Sequence, residues 1–313
     1  MEYPKSVITY NESPDLPFTA SINPYRGCEH GCVYCYARPA HAYMDLSPGL
    51  DFESRLFAKA GAVDLLRREL AARHYRCQPI AFGTNTDAYQ PIEREYRITR
   101  SLLELLCEHL HPFTIVTKSA LVERDLDLIA PMGRSGMAAV YVSVTTLDRE
   151  LARSMEPRAA APARRLRTIE RLSRAGVPTG LMFAPVIPAL NDHELEAVLE
   201  AGAGAGALRA GFVLLRLPLE VQPIFSDWLT FRHPLKADRV LNRVRDMRDG
   251  KLNDARFGSR QRGTGEFARL LARRFEKACA RYGINRLDAM TLDTSQFRPP
   301  RACSAQQDLF DPP

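Results

Sequence analysis

Three of the seven cysteines fall within eight residues, Cys28-Glu29-His30-Gly31-Cys32-Val33-Tyr34-Cys35, and the other four are scattered. Thiols packed this densely on one short stretch have the chemistry of metal ligands. Structural zinc needs a closed set of four donors, and His30 is a nearby candidate. Zinc sites usually pair two ligand clusters, however, and the chain has no second CxxC and no HxxxH. A fortuitous group of buried cysteines is the bland alternative. Gly27 and Gly31 give the stretch the backbone freedom to wrap around a bound centre.

Such a loop needs a rigid frame. Short β-type runs alternate with helix-period segments over about two hundred residues, the pattern of a parallel α/β sheet. Six units are readable. Their strands are expected at Phe18–Asn23, Pro79–Gly83, Phe113–Thr117, Ala139–Thr145, Gly180–Val186 and Gly211–Arg216. Amphipathic helices are expected at Val63–Tyr75, Glu93–His109, Val122–Ala130, Pro162–Ala175 and His193–Ala203, with Asn191 or Asp192 capping the last. In parallel α/β folds the site lies at the carboxyl ends of the strands, which is where the cysteine loop falls. Beyond Pro218 the alternation stops, and a basic segment leads to a helix over Glu266–Tyr282. The divisions read as an N-terminal segment 1–17, an α/β unit 18–217, a basic helical extension 218–290 and a tail 291–313.

Composition narrows the classes. Seven cysteines in 313 residues are too few for a disulfide scaffold. The start Met1-Glu2-Tyr3-Pro4 lacks a secretory pattern, so a reducing cytoplasm is expected. No window approaches the roughly 20 apolar residues of a membrane span, and no membrane association is expected. The net charge of +6 is uneven, with 18 Lys and Arg against 8 Asp and Glu in Phe231–Arg301. A basic segment of this kind suggests a polyanion contact, although solvated arginines give the same balance.

The Cys-x3-Cys-x2-Cys spacing, with an aromatic before the last Cys, resembles the signature of the radical S-adenosylmethionine (radical SAM) superfamily. Three thiolates on such a loop can hold three corners of a 4Fe-4S cubane and leave one iron without a protein ligand. The resemblance implies that SAM chelates that iron and is cleaved to a 5′-deoxyadenosyl radical. It implies a partial (β/α)6 TIM-type barrel, in agreement with the six units read independently, here followed by a basic, mainly helical C-terminal extension. It also implies an electron donor such as flavodoxin or ferredoxin.

Flanking segments resemble the spore-photoproduct-lyase-like group, often labelled DNA repair photolyases. They are Ser21-Ile22-Asn23-Pro24-Tyr25-Arg26-Gly27-Cys28, Cys35-Tyr36-Ala37-Arg38, Thr86 through Glu93, Thr117-Lys118-Ser119, Glu156-Pro157-Arg158, Arg256-Phe257-Gly258-Ser259-Arg260 and Gly263-Thr264-Gly265. By position, Tyr34 is similar to the aromatic that lies against adenine, with core packing as the alternative. Gly83, Thr84 and Asn85 stand where relatives receive the SAM amine, without the acid those relatives carry; Asp87 is a substitute for it. Ser143 and Thr145 share a strand face and suit ribose or carboxylate, or simply fill the barrel. Arg158 suits the methionine carboxylate or is a surface arginine. Asp87, Tyr89 and Gln90 face SAM or substrate, or form an Asx-type turn before Pro91.

Two features point toward nucleic acid. Arg256, Arg260 and Arg262 precede Gly263-Thr264-Gly265 and a helix start, an arrangement that binds anions or merely caps the helix. The tail Gln306-Gln307-Asp308-Leu309-Phe310 resembles the bacterial sliding-clamp-binding pentapeptide, with Gln306, Leu309 and Phe310 as anchors. Spore photoproduct lyase returns a hydrogen atom with help from a cysteine, yet Cys107 and Cys279 read as core residues, Cys77 as a helix end and Cys303 as tail. The expected function is radical SAM chemistry on nucleic acid, first a DNA lesion. RNA modification and a metal-stabilised nucleic-acid-binding module are the alternatives.

Overall fold

A computed structural model describes residues 1–286 and 291–301. Its nine strands are β1 (Thr9–Tyr10), β2 (Ala20–Ile22), β3 (Tyr25–Arg26), β4 (Phe57–Ala58), β5 (Ile80–Phe82), β6 (Phe113–Thr117), β7 (Ala138–Ser143), β8 (Thr179–Val186) and β9 (Arg209–Leu214). Seven form one sheet in the order β1-β2-β5-β6-β7-β8-β9. The six from β2 to β9 in that order are all parallel, with Ile80 opposite Ala20 and Phe113 in turn, and Thr179 opposite Val140. The six expected strands are thus present, Phe113–Thr117 with its expected bounds and the others with ends displaced by one to a few residues. Their order follows the chain, the arrangement of a partial TIM-type barrel.

β7 reads Ala-Ala-Val-Tyr-Val-Ser and is buried at all but Tyr141. A strand covered on both faces, by the barrel interior and by helices, can be apolar at successive positions rather than alternating. The pair β1–β2 is antiparallel, Thr9 opposite Ser21. This edge strand was not expected, because two exposed residues carry no periodic signal. It covers hydrogen-bonding groups of β2 that would otherwise form an open edge.

The first expected helix ends at Leu70 rather than Tyr75, and Val122–Ala130 is a 3-10 stretch, Ala120–Asp125, followed by a helix over Leu126–Arg134. A further helix departs from its expected course for a visible reason. The run Glu93–His109 is divided into Glu93–Tyr96 and Ile98–Glu108, with Arg97 at φ 50° between them. The buried Glu93 carboxylate turns back to accept hydrogen bonds from the Thr99 and Arg100 amides at 2.9 and 3.2 Å, satisfying the start of the second piece. Asn191 likewise does not cap the helix that follows it. Its buried side chain donates to the Thr145 and Pro185 carbonyls at 2.7 and 3.0 Å and accepts from the Ile187 amide, tying the ends of β7 and β8 together.

The extension is helical over Val221–Arg232, Pro234–Asp246 and Gly265–Tyr282. The last of these joins the main core through Leu271 and Phe275. The first two join Leu151 and Met155 in a second apolar cluster that also contains Cys32 and Tyr34. The cysteine loop is therefore seated on a core of its own. Among the described residues no helix is long and apolar enough to cross a membrane.

Candidate functional site

The cysteine loop follows β2 and β3 at the carboxyl ends of the parallel strands. Gly27 has φ 75°, and a Cβ there would meet the Phe52 carbonyl and Leu56 at 2.8 Å. Gly31, at φ 65°, lies under the side chains of Glu53 and Arg158, where a Cβ would clash with both. The Cys28 amide donates to the Phe52 carbonyl at 2.9 Å, and the Val33 amide to the Met155 carbonyl at 3.0 Å. Buried Gln90 brackets Cys28: its amide nitrogen donates to the Gly27 carbonyl at 3.0 Å while its oxygen accepts from the Glu29 amide at 2.9 Å. Buried Arg38 holds the other end, donating to the Cys32 carbonyl at 2.9 Å and to the carbonyls of Pro48 and Gly49. Cys28 and Cys32 are buried and Cys35 is half-buried.

Burial raises all three thiols, with Asp87 adding to the effect at Cys28; Cys32 is pushed up to about 12. Thiols of this kind become thiolates only when a cation takes the proton's place. Positive charge is already at hand. The Lys118 ammonium, from the residue directly after β6, lies 5.9 Å from the centre of the Tyr34 ring. Burial opposes its charge, but Cys32 and Glu156 outweigh burial and raise its pKa. Among the described residues the ammonium makes no hydrogen bond or ion pair. Beside it, Glu156 and Arg165 form a buried ion pair, with the Tyr34 hydroxyl donating to Glu156. Burial works against the Glu156 carboxylate, yet Arg165 and Lys118 together hold its pKa below the ordinary value.

The structure sorts the residues that the sequence nominated. Asp87 makes the Asx-type turn, accepting from the Tyr89 amide at 2.8 Å, and also accepts from the Thr117 hydroxyl and Lys118 amide, both at 2.7 Å. His30 lies 3.4 Å from its other face. Tyr89 is not open to a ligand: it is fully buried, with its hydroxyl on Asp125 at 3.0 Å. Gln90 is a loop clamp for the reason already given. Arg158 likewise braces the loop instead of standing free for a carboxylate, since it donates to the Glu29 carbonyl and pairs with Glu53.

Gly83 has φ 76°, and a Cβ would sit 2.2 Å from the Val116 carbonyl, so β5 leaves the sheet by a turn that only glycine allows. Thr84 accepts the Tyr36 hydroxyl on its carbonyl, and the Asn85 amide donates to Asn23 at 2.9 Å. Ser143 is buried at the end of β7. Thr145, just beyond it, is 1% exposed and its hydroxyl has no hydrogen-bond partner.

The arginine turn is less open than its composition suggests. Arg256 pairs with Asp249 and Asp254, and Arg260 with Asp15. Thr264, before the helix start, bonds Asp249 at 3.1 Å, so a carboxylate is already at that position. Arg262 is exposed. Gln306, Leu309, Phe310 and Cys303 lie outside the described residues. Cys279 is a core residue, Cys107 packs against the core, and Cys77 stands before β5, at the opposite end of the strands from the cysteine loop.

The residues fit an iron–sulfur cubane with a bound SAM better than a single ion. The three thiols of the loop are one donor short of the closed set that structural zinc takes, and His30 faces Asp87 instead. A cubane instead asks for one thiolate per corner. The orphaned Thr145 hydroxyl and the unpaired Lys118 ammonium are a donor–acceptor group and a cation suited to a polar zwitterionic ligand. Lys118, Arg38, Glu156 and Arg165 were not singled out individually from sequence. For Lys118 a signal existed, its place immediately after a strand end; the other three act through partners distant in the chain.

Comparison with known proteins agrees with this geometry. Residues 22–202 match the Radical SAM superfamily model. An uncharacterized protein of Mycobacterium tuberculosis (strain H37Rv) is 38% identical over 72% of this chain, and the match takes in 66% of that protein, just under two thirds of its length. An uncharacterized protein of Methanocaldococcus jannaschii is 28% identical over 55% of this chain and 62% of its own. Spore photoproduct lyase complexed with dinucleoside spore photoproduct superposes with a TM-score of 0.63 at 16% identity, covering 90% of this chain and 79% of that one.

Proposed function

Because the chain belongs to the radical SAM superfamily of enzymes, we propose that Cys28, Cys32 and Cys35 hold a 4Fe-4S cluster, that SAM binds at the adjoining strand ends, and that the substrate is nucleic acid, a damaged DNA strand first. The family's cluster and SAM supply reductive cleavage to a 5′-deoxyadenosyl radical, an abstractor of hydrogen atoms. The observation that carries the reading is the meeting, at one end of the sheet, of three thiols, two of them buried, with an ammonium and a buried hydroxyl that have no partner among the described residues.

This chain's own residues then have definite tasks. Gln90 and Arg38 fix the loop backbone on either side of the thiols, so that the ligands are held before anything binds. Lys118 offsets the negative charge of the thiolates and of a carboxylate beside them. Thr145 offers its hydroxyl to a polar group, and the Tyr34 ring, its hydroxyl anchored on Glu156, presents a flat apolar face. The close approach of Gly83 to β6 leaves room for backbone amides to meet a ligand.

Nucleic acid is supported by the basic balance of Phe231–Arg301 and, as an analogy of fold alone, by the likeness to spore photoproduct lyase. An electron donor such as flavodoxin or ferredoxin, a reducing cytoplasm and a sliding-clamp contact through Gln306, Leu309 and Phe310 complete the reading from sequence.

The test is anaerobic incubation of the iron- and sulfide-reconstituted protein with SAM and dithionite. 5′-Deoxyadenosine should form, and ultraviolet-irradiated DNA should accelerate it more than intact DNA or RNA does. Absence of 5′-deoxyadenosine refutes the chemistry; acceleration by RNA alone moves the substrate to RNA.

A further inference from the structure

The carboxyl end of β9 carries a cation that the arrangement of cysteines does not explain. Arg216 stands two residues beyond the strand, half-buried, with its guanidinium 5.6 Å from the centre of the Tyr36 ring. Tyr36 directly follows the last cysteine of the loop, and its hydroxyl is fixed on the Thr84 carbonyl. The Arg216 Nε is buried and has no hydrogen-bond partner. No carboxylate pairs with this guanidinium among the described residues.

Its neighbours make the position worse. Arg248 is buried and donates three hydrogen bonds to the carbonyls of Leu214 and Leu215, directly before Arg216. It also donates to the Arg260 carbonyl at 3.0 Å. The turn containing Arg260 is closed onto β9 by the Leu214 amide, which donates to the Gln261 carbonyl at 2.9 Å. Both arginines repel Arg216, and burial together with Arg260 lowers its pKa; Asp15 offsets this only in part, being engaged by Arg260 and the Gly258 amide. Three arginines thus converge at one strand end, and the one facing the cysteine loop is left without an anion. An aromatic face compensates a guanidinium only partly, and a half-buried charge in this setting destabilises the fold unless an anion joins it.

We propose that Arg216 is a substrate-positioning residue that binds a phosphate group of the nucleic acid, placing the adjacent nucleotide over the cysteine loop. The proposal deepens the function assigned above and rests on its nucleic-acid reading. A phosphodiester fits because a guanidinium bonds it through two parallel N–H groups, and the ring beneath keeps the guanidinium plane in place for that approach. The framework arginines Arg248 and Arg260 add field without losing their own partners.

The test compares wild type with Arg216→Gln and Arg216→Lys, using a short fluorescein-labelled oligothymidylate, SAM alone and a thermal melt. Arg216→Gln should weaken oligonucleotide binding about tenfold. It should also reduce the slope of log affinity against log salt by about 0.7, the loss of one phosphate contact on a single strand. Arg216→Lys should retain the slope but bind more weakly, lacking the two-pronged geometry. Removing a cation repelled by two arginines should leave the melting temperature unchanged or raise it. A wild-type protein that binds no oligonucleotide at any salt overturns the nucleic-acid reading itself. Wild-type binding with an unaltered slope in Arg216→Gln overturns only the Arg216 assignment, as does a lowered melting temperature at unchanged slope. Loss of SAM affinity in Arg216→Gln reassigns the residue to the cofactor carboxylate and equally defeats the proposal.

Discussion

The cysteine loop after β2 and the arginine turn at Asp254–Gly265 are both dense in reactive side chains, yet they dispose of charge in opposite ways. In the loop the supporting arginines, Arg38 and Arg158, are tied to backbone carbonyls and Glu53, while Lys118, whose charge acts on Cys32, makes no ion pair among the described residues. In the turn the carboxylates of Asp249, Asp254 and Asp15 meet Arg256 and Arg260. In the turn, therefore, paired carboxylates offset much of the formal excess of arginine. What distinguishes a binding site from a braced turn is a charge or hydroxyl that the fold leaves without a partner, as at Lys118, Thr145 and Arg216.

Four experiments can break or sharpen this contrast. The largest effect belongs to the thiols. Replacing Cys28, Cys32 or Cys35 by Ala should abolish iron retention and 5′-deoxyadenosine formation after anaerobic reconstitution, whereas Cys107→Ala should keep both; cluster absorbance and product chromatography decide it.

Next is the buried pair behind the loop. Glu156→Gln leaves Arg165 charged, nearly solvent-free and without its carboxylate, which typically costs about 3–5 kcal/mol. Urea unfolding at neutral pH should register that loss; a change below about 1 kcal/mol, the range of exposed pairs, would mean that the pair is no more integrated than a surface one.

A smaller effect, with opposite sign for function, is expected in the turn. Asp15→Asn should release the Arg260 guanidinium while retaining an acceptor for the Gly258 amide. If the freed cation reaches a strand of DNA, the salt slope of binding steepens by about 0.7. An unchanged slope would show that the arginine turn serves only the framework.

The smallest effect concerns acid. Hydrogen bonds from Arg256, and from Ser259 at Asp254, hold the pKa values of Asp249 and Asp254 below the ordinary carboxylate value. The folded values are depressed, so the stability these pairs contribute is present above the unfolded carboxylate pKa of about 3.9. It is lost as the pH falls below that toward the folded values. The turn should accordingly loosen below about pH 4, with amide exchange at Arg256–Gly263 rising there; exchange independent of pH stability linkage across that window would contradict the pairing.

The frame was legible in the sequence to a large degree, because short apolar runs such as the β-branched Phe113–Thr117 and the apolar Gly180–Val186 alternate with helical periods that a parallel sheet demands. The β5–β6 loop residues were legible only as a segment. Asp87, Tyr89 and Gln90 sit at the right strand end, but whether a polar side chain faces a ligand or a backbone carbonyl depends on the neighbouring loop, which local sequence does not encode. Glu93 illustrates the same limit, since its helix divides around a carboxylate that also receives Tyr25 and Arg124 from remote parts of the chain. The arginine turn was legible as charge but not in its pairing, because Arg260 finds its acid 245 residues away at Asp15.

The central claim is that the loop Cys28–Cys35 carries a cubane with one iron open to SAM. Electron paramagnetic resonance of the anaerobically reconstituted, dithionite-reduced protein tests it directly. The account predicts a reduced 4Fe-4S signal that changes shape and g values when SAM is added and that is missing in Cys32→Ala. A protein that yields no such signal, or one that SAM leaves unaltered, would contradict it.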